Sequence, residues 1–157
     1  MKVSDILQSK SRKPQTVAPN TLLSECVILM ADEDLGSLVV MDRQQLVGLL
    51  TFREVILILA QRQKELRSGP TPPVAELKVR DVMNPLPIFV DLNVEVNDLR
   101  ARMINLHQRY VPVLDKGNLI GILSFHDVAR AIHVEQDLEN RQLKSYIGDW
   151  PLYRVQP

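Results

Sequence analysis

The sequence predicts an α/β (α+β) fold made of two copies of a βαββα unit, related to each other by a pseudo-two-fold axis. Three observations predict it. The phrase G-L-L-T-F-R-E at residues 48–54 returns as G-I-L-S-F-H-D at residues 121–127, an offset of 73. At that offset the match needs no gap from residue 17 to residue 55: Val17 falls on Val90, Met30 on Met103, Val40 on Val113, Asp42 on Asp115 and Phe52 on Phe125. Upstream, V-S-D-I-L at residues 3–7 matches V-R-D-V-M at residues 79–83 at an offset of 76, and the polar stretch S-K-S-R-K-P absorbs the three-residue difference. A unit this small buries its core poorly alone, so two copies packed face to face are the natural arrangement.

Each copy reads in the same order. A short helical turn comes first, at residues 3–7 or 79–83. A short extended piece follows, at 15–17 or 87–90. An amphipathic helix is next, with Asn20 or Asn93 as candidate N-cap. Its apolar positions are Leu23, Cys26 and Met30 in the first copy and Val96, Leu99, Met103 and Leu106 in the second, at helical spacing. Two strands follow. S-L-V-V-M pairs with Q-L-V-G-L-L across residues 42–44, and Y-V-P-V-L pairs with N-L-I-G-I-L across D-K-G, a hairpin signal. A second helix starts after Thr51 or Ser124. The resulting division is a first copy at 1–66, a linker at 67–76 rich in proline and glycine, a second copy at 77–135, and a C-terminal helix and tail at 136–157.

The helix after Thr51 is apolar through residues 55–60, which predicts full burial, part of it against a second chain; a homodimer is expected. The last helix carries Val128, Ile132, Leu138, Leu143 and Ile147 as an apolar stripe that could reinforce a dimer or dock on a target. Gly148 is its expected end, with Trp150 and Pro151 beyond.

Composition narrows the class of function. The chain has 157 residues, 45% hydrophobic and 4% aromatic, so its core is aliphatic. Lysine plus arginine equals aspartate plus glutamate at 19 each, so composition does not indicate a strongly basic surface for nucleic acid and leaves room only for a local patch. The longest apolar run, residues 55–60, falls far short of the roughly 18 residues of a membrane span. The N-terminus lacks signal-peptide form, and the one cysteine, Cys26, forms no internal disulfide and sits on an apolar helix face. The expected location is cytoplasmic. There is no phosphate-loop motif, no nucleophile elbow and no metal-ligand spacing around His107, His126 and His133, so no catalysis and no metal is expected. Lys10, Arg12 and Lys13 read as a solvated basic loop.

The helical turns V-S-D-I-L and V-R-D-V-M, the Y-V-P-V-L strand and the doubled G-I-L-S-F-H-D and G-L-L-T-F-R-E turns together resemble the tandem CBS-domain pair, named after cystathionine beta-synthase. The resemblance covers about residues 2–147. It implies one Bateman-type module of two CBS repeats, which commonly assembles with a second pair. It further implies a regulatory role: no obligatory cofactor, but an adenine nucleotide (AMP, ADP, ATP) or an adenosyl compound such as S-adenosylmethionine bound in clefts between the repeats, and signalling to a partner such as an enzyme or transporter. The alternative is a dimeric scaffold with vestigial clefts.

The doubled phrase has two readings. Thr51 with Glu54, and Ser124 with Asp127, fit a helix capping box, which prefers Glu at the third helical position and so suits Glu54 better than Asp127. As a binding site, a carboxylate at a helix start can accept hydrogen bonds from both hydroxyls of a ribose, beside amide groups that favour phosphate. The resemblance places the ribose-binding acid at Asp127. Glu54, one methylene longer, is expected to weaken the first cleft. By the same matching, the second cleft would comprise Ser124, His126 and Asp127, an adenine pocket of Tyr110, Val111 and Pro112, an apolar wall at Ile122, and Pro87 and Ile88 offering backbone groups to the base. The weaker first cleft would comprise Thr16, Val17, Ser37, Leu38, Thr51, Arg53 and Glu54. If His126 meets phosphate, affinity should rise as pH falls through about 6.5.

Overall fold

The computed structural model describes residues 1–10, 13–66 and 73–148. Arg12, Trp150, Pro151 and most of the expected linker lie outside them. The element order is α1 (Val3–Gln8), β1 (Thr16–Val17), α2 (Leu23–Asp32), β2 (Ser37–Asp42), β3 (Gln45–Thr51), α3 (Phe52–Leu66), then α4 (Val96–Leu106), β4 (Tyr110–Asp115), β5 (Asn118–Ser124) and α5 (Phe125–Gly148). A single 3-10 turn at Val79–Asp81 takes the place of α1 in the second copy.

The two hairpins are superimposable in register. Ser37 pairs with Thr51 and Val40 with Gly48, and a bulge follows Val40. Tyr110 pairs with Ser124 and Val113 with Gly121, and a bulge follows Val113. Each of these pairings is the other shifted by 73. β1 runs parallel to β2, and in the second copy that strand shrinks to one parallel bridge between Val90 and Val113. Both hairpins close through two residues at positive φ: Arg43 and Gln44 in the first, Lys116 and Gly117 in the second. That is the turn whose twist matches a β-hairpin.

The cores are exchanged. Val3 and Ile6 of α1 are buried with Val96, Leu99, Val111, Val113 and Leu123 of the second copy. Val79 is buried with Leu23, Cys26, Leu38 and Leu50 of the first. Each opening turn thus completes the other copy's core, with β-bridges from Lys2 to Glu95 and from Leu22 to Lys78. Cys26 is wholly buried, and burial, with the nearby Glu25 carboxylate, pushes its thiol up to about 11; it is a core residue.

Three expectations are corrected. Asn20 and Asn93 are not N-caps, since α2 and α4 begin after Leu22 and Glu95; Asn20 instead accepts from Arg80, and Asn93 donates its N–H to Asp91 in a turn. α3 is not buried all round. Val55 and Ile58 pack on the first core while Phe52, Ile56, Leu57, Leu59 and Leu66 are more than half exposed. The α5 stripe splits: Val128 and Ile132 are buried, but Leu138, Leu143 and Ile147 are exposed.

Candidate functional site

The doubled phrase places the same constellation at the start of α3 and of α5. At α5, the Ser124 N–H donates to Asp127 Oδ2 at 2.8 Å and the Asp127 N–H donates to Ser124 Oγ at 3.0 Å. That is a complete reciprocal capping box. At α3, the Thr51 N–H and the Thr51 hydroxyl both donate to Glu54 Oε2, and Thr51 Oγ1 accepts from the Arg53 N–H at 3.2 Å. The longer Glu54 folds back onto its own cap hydroxyl, whereas Ser124 keeps its oxygen on the helix amide. Both acids thus reach back to the cap N–H at 2.8 Å, and the two boxes differ in what the cap hydroxyl does.

Asp127 has a further partner. Lys10, from the loop after α1, donates its ammonium to Asp127 Oδ2 at 2.7 Å and to the Ile122 carbonyl at 2.7 Å. Burial raises the Asp127 carboxyl, but the Lys10 ammonium and the Ser124 donors outweigh it and hold the group below its ordinary value. Lys10 is not a solvated loop residue; only about a quarter of its side chain (27%) is exposed. No local pattern points to it, because its partner is 117 residues away. The exchanged position of α1 is what brings it there.

Around Asp127 lies a cleft of about 440 Å³ between the copies. Its lining from the second copy is Arg109, Tyr110, Ile122, Ser124, Phe125, His126 and Asp127. From the first copy come Lys10, Lys13, Pro14, Gln15, Asp34, Leu35, Gly36 and Ser37. Gly36 is required here: a Cβ at this position would collide with the Tyr110 hydroxyl. A second, wider cleft of about 1210 Å³ is its pseudo-symmetric counterpart. It joins Leu49, Thr51, Phe52, Arg53 and Glu54 to Met83, Asn84 and the segment from Met103 to Tyr110 at the end of α4. Arg109, Tyr110 and Phe125 border both clefts.

The structure regroups the residues singled out from sequence. Tyr110, Ile122, Ser124, His126 and Asp127 share the smaller cleft, and Ser37, expected in the other, joins them. Thr51, Arg53 and Glu54 share the wider one. Val111 and Leu38 are fully buried core, Pro112 is buried, and Val17 packs against the first core. Thr16 is an exposed strand residue, and Pro87 lines neither cleft. Ile88 packs on the second core, and its backbone N–H and C=O are both taken by the Gln108 side-chain amide at 2.9 Å. The Ile88 N–H is thereby engaged within the chain, and its C=O keeps one lone pair; Gln108, which no motif marked, holds both groups.

Two clefts, each lined by residues of both copies, define a paired-repeat module. The CBS-domain family model matches residues 3–61 and 79–134. The chain belongs to the CBS-domain family. It is similar to the CBS domain-containing protein YhcV of Bacillus subtilis, 28% identical over 127 residues that cover 81% of this chain and 84% of that one. Among solved structures it is similar to a CBS-domain-containing protein from Agrobacterium tumefaciens, with a TM-score of 0.74, 26% identity, and coverage of 83% of this chain and 98% of that one. A CBS domain protein from Pyrobaculum aerophilum, solved in complex with AMP, has the same fold at a TM-score of 0.69 and 23% identity over 86% of this chain and 97% of that one. Another CBS pair of this fold was solved with 5′-methylthioadenosine and S-adenosylmethionine. Among the described residues of this chain no helix is long and apolar enough to cross a membrane, and no cluster of His, Cys, Asp or Glu could hold a metal.

Proposed function

We propose that this chain is a regulatory module that holds an adenine nucleotide or a related adenosyl compound in the cleft at Asp127 and passes its occupancy to a partner protein. One observation carries the reading. A part-buried carboxylate, seated by a capping box at the start of α5, faces Gly36 and Ser37 of the opposite copy across the cleft, with Lys13, Arg109 and His126 at its walls. Carboxylate and cations match the two ends of a nucleotide, a diol and a phosphate. A ligand that touches both copies binds one relative arrangement better than others, and that difference is what a sensor transmits. AMP and adenosyl ligands held by proteins of the same fold support the choice of ligand class.

The exposed α3 residues Phe52, Ile56, Leu59 and Leu66 recur at spacings of four, three and seven, an apolar stripe that suits a homodimer. Sedimentation should then give a dimer, and Ile56→Glu a monomer. Calorimetric titration with AMP, ADP, ATP and S-adenosylmethionine tests the ligand. Saturable binding that Asp127→Ala abolishes and Glu54→Ala spares is the expected result. A second reading, a dimeric scaffold with vestigial clefts, draws on the satisfaction of Asp127 Oδ2 by Lys10 and Ser124. Absence of heat with every ligand near a millimolar would favour it.

A further inference from the structure

We infer that Lys10 is the specificity-determining residue of the Asp127 cleft and makes it select a phosphorylated nucleoside over a neutral or sulfonium-bearing one; this rests on the nucleotide-sensing reading above. An ammonium has three N–H donors. Two are spent on the protein, at 2.7 Å each, on Ile122 O and Asp127 Oδ2. These fix the nitrogen at the cleft wall, and the third donor remains for a ligand oxygen. The matching carbonyl of the wider cleft, Leu49 O, accepts instead from the Asn84 backbone N–H at 2.9 Å, and among the described residues no lysine is bonded to it.

The charges around the cleft agree. Lys10, Lys13 and Arg109 oppose Asp34 and Asp127, three cations against two carboxylates, and His126 adds to the positive side when protonated. Lys10 neutralises the acid that would otherwise attract a sulfonium, and among the described residues neither Lys13 nor Arg109 is tied up in an ion pair. A charge-assisted bond from a cation already held in place loses little side-chain freedom on binding, so it discriminates by charge rather than by size. Asp127 keeps Oδ1 for a ribose hydroxyl. Its contact with the diol is therefore through one oxygen, with Lys10 holding the other.

The test is titration of wild type, Lys10→Met and Lys10→Arg with AMP, adenosine and S-adenosylmethionine. Wild type should prefer AMP over adenosine by about tenfold or more; Lys10→Met should lose about tenfold for AMP and less than threefold for adenosine, and Lys10→Arg should keep most of the preference. Equal losses for AMP and adenosine, or none, would overturn the assignment while leaving nucleotide sensing intact. No binding by wild type of any of the three would sink the sensing reading and this inference with it. Should Lys10→Met fail to fold, amine labelling of the wild-type protein decides: AMP should slow modification of Lys10 more than adenosine does, and equal protection by both would overturn it.

Discussion

The two clefts begin from the same phrase and end with different electrostatics. At α3, Glu54 turns its carboxylate back onto Thr51, hydroxyl and amide together, and among the described residues forms no ion pair. At α5, the shorter Asp127 leaves Ser124 Oγ to the helix amide and turns Oδ2 to a lysine from the other copy. Both acids hold their own cap amide, but Glu54 spends its second contact on the cap hydroxyl and Asp127 spends its on a lysine from the other copy. A fold-level repeat therefore guarantees the scaffold of a site and says little about its charge. The packing shows the same asymmetry in a second place: Met83 fills the space over Gly48, as Leu7 does over Gly121, but only the α1 side continues into a lysine that enters the cleft.

The largest expected effect concerns the exchange of cores. Ile6 is buried among second-copy residues, so Ile6→Ala should destabilise the chain by about 3 kcal/mol, the usual range for a large buried aliphatic. The loss should be read in the second sheet. Amides of Val111 and Val113 should lose more exchange protection than those of Val39 and Val40. Equal losses in both sheets would show one cooperative core and erase the distinction between the halves.

Next comes the acid itself. Asp127→Glu should lengthen the reach onto Ser124, as in the first cleft, and release Lys10. Under the proposed function, affinity for nucleotide should fall at least about tenfold, roughly 1.4 kcal/mol, with Glu54→Asp nearly silent for that cleft. Unchanged affinity in Asp127→Glu, followed by titration, would mean that the single methylene is not what separates the two clefts.

How much of this was legible before the structure depends on range in sequence. The offset of 73 carried the two hairpins and their turns, because those pairings are local; the bulges after Val40 and Val113 emerged only from the structure. It also led to Ser124 and Asp127, since a capping box spans three residues. It did not reveal that Ser37 faces the other copy's acid, or that Gln108 occupies the backbone of Ile88. It placed Lys10 in solvent. Each of these depends on which copy an element packs against, and the pattern of apolar residues is the same whether α1 folds onto its own repeat or onto its twin. α3 shows a related limit: apolar residues on every side of a helix indicate burial, but not which side this chain covers, and within it Phe52, Ile56 and Leu59 are left exposed.

The caps offer a smaller contrast. Ser124→Ala removes the acceptor of the Asp127 amide and should cost about 1 kcal/mol, the usual value of an N-cap. Thr51→Ala should cost a similar amount, because it removes both the 3.2 Å bond from the Arg53 N–H and the hydroxyl's own bond to Glu54, while the Thr51 N–H keeps Glu54. Thermal melts of the two variants compare them directly. A larger loss at Thr51 would place the stronger box in the first copy.

The smallest effect is the pH dependence of the Lys10–Asp127 pair. Its two side chains are 27% and 26% exposed, so the pair should contribute about 0.5–1 kcal/mol, less in high salt. Asp127 titrates below its ordinary value in the folded chain, with burial opposing and the Lys10 ammonium and Ser124 donors prevailing. A carboxyl lowered by folding stabilises the native state fully above its unfolded pKa, near 4, and that contribution disappears as pH falls through the lower folded value. The gap in melting temperature between wild type and Lys10→Met should thus be widest near neutrality and narrow below about pH 4. The Glu54→Gln variant, which breaks no ion pair, provides the baseline. A gap for Lys10→Met that stays constant down to pH 2 would mean that Lys10 acts through the packing of its aliphatic stem, and the two clefts would then differ in shape rather than in charge.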